Sequence, residues 1–295
     1  MTKKQFETDD PVETLLNVLE LERIEVNRFR GFTPPSRSMR VFGGQVIAQA
    51  LVAAYNTVED RTCHSLHAYF IRGGDPSTPI LYEVDQARNG RSFTTRRVVA
   101  IQNGEQIFNL AASFQVNEEG FEHQFTMPDV PAPDSLISDE EMRFKAAEHA
   151  ATPTIAQHMK QSGPIDVRHT EPQNILRPEK LSTNNPVWMR VKDKVGDEPY
   201  LHHALLAYAS DMTLLDTCVR PHGVNFFTNT VQMASLDHAM WFHLPFRADD
   251  WLLYDQDSPS ASGGRGFNRG SVYSPDGKLV ASIAQEGLIR PPRAR

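Results

Sequence analysis

Cysteine is nearly absent from this 295-residue chain: Cys63 and Cys218 are the only two, and neither stands in a Cys-x-x-Cys pair. A disulfide framework and a structural zinc site are therefore not expected, and both residues are read as reduced thiols. Positive charge is in deficit, with 30 Lys and Arg against 37 Asp and Glu and a net charge of -7. A nucleic-acid or membrane-surface role wants a basic field, so neither is expected, and a phosphate-bearing ligand would need a local cluster of arginines. No uncharged apolar run reaches the roughly 18 residues of a membrane span, and the first ten residues lack the apolar core of a signal peptide. Membrane insertion and secretion are not expected, and a cytoplasmic setting is. The Gly-x-Ser-x-Gly elbow of serine hydrolases is missing too, its nearest likeness, Gly90-Arg91-Ser92-Phe93-Thr94, lacking the last glycine. Neither a dinucleotide fingerprint nor a phosphate-binding loop occurs. The pairs His64 and His67, and His238 and His243, are separated by odd intervals that point the two rings to opposite faces of a strand. No metal site and no cofactor are expected.

What the chain does hold is one pattern stated twice. Ile80-Leu81-Tyr82-Glu83, Gly90-Arg91-Ser92-Phe93, an Asn103-Gly104 turn and Ala111-Ala112-Ser113 return in the same order as Leu252-Leu253-Tyr254-Asp255, Gly264-Arg265-Gly266-Phe267, Asp276-Gly277 and Ala281-Ser282-Ile283. An opening helix is signalled by Asp10 as cap, Pro11 at the first helical position, Glu13 at capping-box spacing and an apolar stripe of Val12, Leu15, Leu16 and Leu19. Residues 42–55 open on a glycine pair and run without a charge, which predicts a helix wrapped on most sides. Strand-like runs follow at 67–71, 80–84, 93–100 and 106–116, separated by turn signals. A wrapped helix followed by an antiparallel meander is the hot-dog arrangement. Residues 200–219 predict the second wrapped helix, and 231–242, 251–255, 267–273 and 279–289 the second meander. The expected fold class is α+β, a tandem (double) hot-dog, each copy a long central helix wrapped by an antiparallel β-sheet. Its parts are residues 1–118, a proline-rich linker with helical content at 119–164, and a second copy at 165–295 that carries the polar candidates.

Those candidates stand where the other copy is plain. Asp211, read as helical, has Ala207, Tyr208, Leu214 and Leu215 as same-face neighbours, so its carboxylate lies on an apolar face where an unpaired charge is costly. The first-copy helix has no carboxylate from Gln45 to Tyr55. Gln285 falls in the apolar register of its strand with Leu279, Ala281 and Ile283, and the turns align it with Ala112. Ser235 is the third, with Asp237 expected on the same strand face. A buried carboxylate serves structure as often as chemistry, and a strand serine is ordinary; together a carboxylate, an amide and a hydroxyl would hold and polarise one water, with the carboxylate as general base.

In these blocks, and in Phe42-Gly43-Gly44-Gln45, Gly73-Gly74-Asp75-Pro76, Ala209-Ser210-Asp211, the run from Ser235 to His243 and Gln285-Glu286-Gly287, the chain resembles the type II acyl-CoA thioesterases, the TesB-like double hot-dog enzymes. The likeness runs from the opening helix to about Ile289. It implies hydrolysis of acyl-CoA to fatty acid and coenzyme A by an activated water without an acyl-enzyme, with Asp211, Ser235 and Gln285 as catalytic residues. Several family members carry Thr where Ser235 stands; the hydroxyl is kept and the rotamer-fixing methyl lost. Helix N-termini and backbone amides near Gly43 and Gly44, or those of the second helix, would serve the oxyanion. Arg91 and Arg265, among Arg88, Arg96, Arg97 and Arg269, would meet the nucleotide phosphates, and Met212, Leu214 and Phe226 would line an acyl tunnel. The resemblance also implies a homodimer or homotetramer. The C-terminal run lacks a Ser-Lys-Leu peroxisomal address. Two alternatives stay open: a hot-dog enoyl-CoA hydratase, a lyase that would place His five residues after its Asp, where this chain has Asp216; and a non-catalytic acyl-CoA-binding protein, which would have no need of the three polar residues.

Overall fold

The computed structural model describes residues 6, 8–35, 38–150, 152–228 and 230–292. The readings on the extreme ends, residues 1–5 and 293–295, lie outside them. Helix α1 (Pro11–Leu19) leads to strands β1 (Glu22–Glu25) and β2 (Arg28–Gly31), helix α2 (Gly43–Tyr55), and strands β3 (Thr62–Phe70), β4 (Ile80–Asn89), β5 (Phe93–Gln102) and β6 (Glu105–Gln115). Helices α3 (Asp139–Ala147) and α4 (Pro153–Met159), strands β7 (Ile165–His169) and β8 (Val187–Val191), and helices α5 (Pro199–Ser210) and α6 (Leu214–Thr217) come next. Strands β9 (Gln232–Ser235), β10 (Asp237–Phe242), β11 (Leu252–Ser262), β12 (Arg265–Tyr273) and β13 (Leu279–Arg290) complete the chain.

Two compact units form, and each draws on several stretches of sequence. The first comprises residues 1–123, 195–211 and 237–247; the second comprises 124–194, 212–236 and 248–295.

In the first unit the strand order is β1-β2-β4-β5-β6-β3-β10, antiparallel at every pairing. Asp10 caps α1 as expected, accepting from the N–H groups of Val12 and Glu13, a contact worth about 1 kcal/mol. Glu13 does not close a capping box; its carboxylate accepts from the Thr8 hydroxyl at 2.6 Å. Helix α2 is buried along nearly its whole length. Its two glutamines are tolerated there because each is bonded: Gln45 Nε2 donates to Thr33 Oγ1 at 2.9 Å, Gln49 Nε2 donates to Val18 O at 2.7 Å, and Gln49 Oε1 accepts from Tyr82 at 2.7 Å. Helix α5 packs antiparallel along α2. At one end Tyr55 is hydrogen-bonded to His203 Nδ1 at 2.9 Å; at the other Phe42 and Tyr208 meet edge to face at 5.0 Å. A Cβ on Gly44 would collide with the Tyr208 carbonyl, so only glycine permits so close an approach.

In the second unit the order is β13-β12-β11-β8-β7, with β9 also paired to β13. Trp188, Leu253 and Tyr273 form its core cluster, against which Met127, Val130 and Leu136 of the linker pack. The linker is tied down by Trp188 Nε1 donating to Pro131 O at 2.9 Å and by Gln124 Nε2 donating to Gly277 O at 2.8 Å.

The strand registers establish the repeat position by position. Tyr82 faces Ala100 and Val84 faces Val98, as Tyr254 faces Val272 and Gln256 faces Gly270; both hairpins then bulge at matching places, Asp85/Arg88 and Asp257/Ser260. Continuing the register, Arg96 opposite Ala112 corresponds to Asn268 opposite Gln285. Gln285 does occupy the place of Ala112. The two glycine-arginine motifs, by contrast, are two residues out of step: Arg265, opposite Leu288, takes the place of Phe93, opposite Gln115, and not that of Arg91.

Two expected elements are broken. Residues 200–219 are not one helix, because α5 stops at Ser210 and α6 starts at Leu214, so Leu214 and Leu215 are not helical neighbours of Asp211. Residues 231–242 are not one strand either: β9 ends at Ser235 and β10 begins at Asp237, which removes Asp237 from the strand that carries Ser235.

Candidate active site

Asp211 belongs to the first unit. It is half-buried and forms the C-cap of α5, its backbone N–H bonded to Ala209 O. A carboxylate at a helix C-terminus faces the negative end of the dipole, an unfavourable place. The compensation comes from α2, whose N-terminus lies beside it: a Cβ built on Gly43 would stand 2.5 Å from Asp211 Oδ2. The cap residue of α2, Phe42, supplies no side-chain hydrogen bond, and the first turn contains no acidic residue. The N–H groups of Gly43, Gly44 and Gln45 have no intrahelical acceptor by position, so this end of α2 is an anion-favouring patch. The same virtual Cβ would be 3.0 Å from the Phe70 ring. Gly43 thus leaves a notch walled by a carboxylate on one side and an aromatic ring on the other. The structure brings together Asp211, Gly43 and Gly44, three of the residues named from sequence.

Ser235 and Gln285 belong to the second unit, and they too are brought together. Ser235 ends β9 directly opposite Gly287, and Gln285 lies two residues along β13 on the same face, the diagonal neighbour within reach of a long side chain. Gln285 is fully buried. The face it occupies is the one that α6 covers, made accessible by a cross-strand glycine pair: a Cβ on Gly287 would collide with Leu215, and one on Gly266 with Cys218 Sγ. In the first copy the corresponding places hold full-sized Phe114 and Thr94.

A chain of buried polar groups seats α6 in the same unit. Gln256 Nε2 donates to Thr213 Oγ1 at 2.7 Å and Gln256 Oε1 accepts from Thr217 Oγ1 at 2.9 Å. Asn185 Nδ2 reaches Thr217 Oγ1 at 3.4 Å, and His169 Nδ1 lies 3.2 Å from Asn185 Oδ1. Burial pushes the Cys218 thiol up to about 11, so it stays protonated and is no nucleophile. Asn268, opposite Gln285 and fully buried, is another polar residue that sequence reading passed over; its place in the motif Gly-Phe-Asn-Arg carries no alternation signal stronger than that of an ordinary strand residue.

The arginines divide sharply. Arg96 is buried and structural, its guanidinium donating to Thr57 Oγ1 at 2.8 Å, Thr57 O at 2.9 Å and Asn89 Oδ1 at 2.7 Å. Arg265 pairs with Glu286 at 2.8 Å and Arg269 with Asp257 at 3.0 Å. Arg91 is exposed beside the β4–β5 hairpin. Of the residues expected to line a tunnel, Leu214 is fully buried, whereas Phe226 and Met212 are exposed. Among the described residues no group of His, Cys, Asp and Glu has the arrangement of a metal site, and no helix is long and apolar enough to cross a membrane.

A buried helix against an antiparallel sheet, with the strand pattern repeated in register, defines the double hot-dog class. The comparisons give the family. Residues 156–288 match the acyl-CoA thioesterase family model and residues 33–115 the model of the acyl-CoA thioesterase N-terminal domain. The chain is 40% identical to acyl-coenzyme A thioesterase 8 of Mus musculus, over 93% of this chain and 88% of that protein. It is 39% identical to acyl-CoA thioesterase 2 of Haemophilus influenzae, over 95% and 98%. The crystal structure of an acyl-CoA thioesterase II TesB2 from Mycobacterium marinum superposes with a TM-score of 0.77 at 42% identity, covering 95% of this chain and 98% of that one. The chain belongs to the acyl-CoA thioesterase family.

Proposed function

We propose that this protein hydrolyses acyl-CoA thioesters to free fatty acid and coenzyme A by direct attack of water, with Asp211, Ser235 and Gln285 as the catalytic residues. The observation that carries the reading is the Asp211 carboxylate set against the uncapped, glycine-led N-terminus of α2. In this mechanism Asp211 takes a proton from the attacking water as its oxygen bonds to the thioester carbon. The carbonyl oxygen becomes an oxyanion, for which the first-turn N–H groups of α2 at Gly43 and Gly44 are suited donors. Collapse of the tetrahedral intermediate breaks the C–S bond, the electron pair leaves on sulfur, and the proton held by Asp211 returns to the thiolate. Ser235 and Gln285 contribute a hydroxyl and an amide that orient the water and complete its hydrogen bonds.

Exposed Arg91 is our candidate for the coenzyme's phosphates; Arg265 would first have to leave Glu286. The pairing of Arg96 and Ala112 against Asn268 and Gln285 supports reading residues 1–118 and 165–295 as the two copies, joined by the 119–164 linker. We also propose a cytoplasmic enzyme of fatty acid metabolism that assembles as a homodimer or homotetramer.

Thiol release from saturated acyl-CoA substrates of short, medium, long and branched chains tests the reaction. Steady release without a burst of acylated enzyme is expected. Hydration of an enoyl-CoA without thiol release would instead identify a lyase, and binding without turnover a non-catalytic protein.

A further inference from the structure

One residue before Asp211, α5 ends on Ser210, a side chain with no exposed surface. Its hydroxyl donates to Ala207 O at 3.1 Å, and His238 Nε2 lies 2.9 Å from the same oxygen. A serine has one hydrogen to give. With that hydrogen on the Ala207 carbonyl, the imidazole must carry its own proton on Nε2 and donate it to Ser210 Oγ. Nδ1 is then a bare lone pair, and it makes no hydrogen bond among the described residues. The opposite tautomer would bury an unsatisfied N–H, the costlier arrangement. His238 is itself fully buried, and burial holds the ring neutral, its pKa pushed down to about 3. It is fixed by the sheet: β10 pairs with β3, and His238 stands directly opposite Ala68. The bond from His238 therefore ties the last turn of a helix to a strand at the residue adjoining the carboxylate.

We propose that His238 is a positioning residue for the hydrolysis: through Ser210 it clamps the C-terminal turn of α5 to β10, so that the next residue, Asp211, holds its carboxylate against Gly43. The inference rests on the reading of Asp211 as the general base. Without that bond, the last turn of α5 loses the tie between its final side chain and the His238 ring, at the end of a helix where backbone hydrogen bonds fray. A displacement of the carboxylate by a fraction of an ångström to one ångström costs a base its alignment and leaves substrate binding largely intact. The His238 ring has no part in proton transfer, because its Nε2 proton is spent on Ser210 and it does not titrate in the working range.

The test compares Ser210→Ala, His238→Leu and His238→Gln in thiol release from one saturated acyl-CoA, reading kcat and KM separately. Ser210→Ala and His238→Leu are expected to lower kcat by roughly 10- to 100-fold with KM within about twofold. His238→Gln, whose amide N–H can donate from nearly the place of Nε2, is expected to recover most of the loss. The double variant Ser210→Ala/His238→Leu should be no slower than the worse single variant, as two ends of one contact require. In an Asp211→Asn background Ser210→Ala should change kcat no further. A lower melting temperature with unchanged kcat would show a purely structural contact and overturn the proposal, as would a change confined to KM, or His238→Gln no faster than His238→Leu. Should His238→Leu fail to fold, Ser210→Ala, which removes a single oxygen, decides the question in the two backgrounds. If Asp211→Asn loses activity while the clamp variants keep theirs, the clamp fails and the base stands; if Asp211→Asn keeps full activity, the base reading itself fails.

Discussion

Gly43 has room for a hydrogen atom and nothing larger, since a Cβ would come within 2.5 Å of Asp211 Oδ2 and 3.0 Å of the Phe70 ring. Real Cβ atoms do not approach so closely, so a methyl at Gly43 would press on the carboxylate and on the ring. Gly43→Ala is therefore expected to fold and to lose roughly 10- to 100-fold in kcat for thiol release, by displacing the base and not by unfolding the helix; an unchanged kcat would mean that the notch is not part of the catalytic arrangement. At this scale much could be read from sequence. Asp211 and Gln285 were conspicuous because an ionic or amide side chain in an apolar register is costly unless something meets it. Ser210 and His238 were not, because a small hydroxyl beside a conspicuous carboxylate and a histidine in a strand are both commonplace; their bond joins positions 28 residues apart and leaves no periodic trace.

Between elements, the difference between the two copies comes down to what the sheet offers the helix above it. The first copy presents Thr94 and Phe114, and the second presents Gly266 and Gly287, against which Cys218 and Leu215 lie. Restoring a methyl at Gly287 would drive Leu215 off the strand. Gly287→Ala is expected to cost about 1–3 kcal/mol, the range of overpacked cores, and to appear as a lowered midpoint of denaturant unfolding; a midpoint equal to wild type would show that α6 can move aside freely. The strands were legible because alternation and turn dipeptides survive in both copies. The interruption of the second helix at residues 211–213 was not, since that stretch has neither glycine nor proline and reads as helical on propensity alone. What breaks it is tertiary: Thr213 Oγ1 accepts from the Gln256 amide nitrogen, and Thr217 gives its hydroxyl to the oxygen of the same amide. The same holds for the break at Leu236, whose N–H turns to the carbonyl of Glu286.

For the whole molecule, the sequence repeat and the compact units are different divisions of the chain. Residues 195–211 and 237–247, which the repeat assigns to the second copy, pack with the first unit, a long-range choice that local pattern does not encode. That choice encloses His203, which stacks on Phe242 at 4.1 Å and is hydrogen-bonded to Tyr55. Burial pushes the pKa of His203, like that of His238, down to about 3. An unfolded histidine titrates near 6.5. Below about pH 6.5 the unfolded chain binds protons that the folded protein refuses, so stability is complete above that pH and is lost as pH falls towards 3. Each ring adds up to about 1.4 kcal/mol per pH unit to the loss. Denaturant midpoints measured between pH 7 and pH 5 should fall, and His203→Gln should flatten that slope; equal slopes for wild type and variant would mean that His203 is protonated or exposed in the folded state.

In the proposed mechanism the Asp211 carboxylate takes the proton from the attacking water. The most direct test of that transfer is the kcat for thiol release from a saturated acyl-CoA by Asp211→Asn, an isosteric change that removes basicity, in protein whose melting temperature matches wild type. A fall of roughly 10²- to 10⁴-fold is expected, the usual worth of a positioned base. Thiol release at the wild-type rate from the folded variant would contradict it.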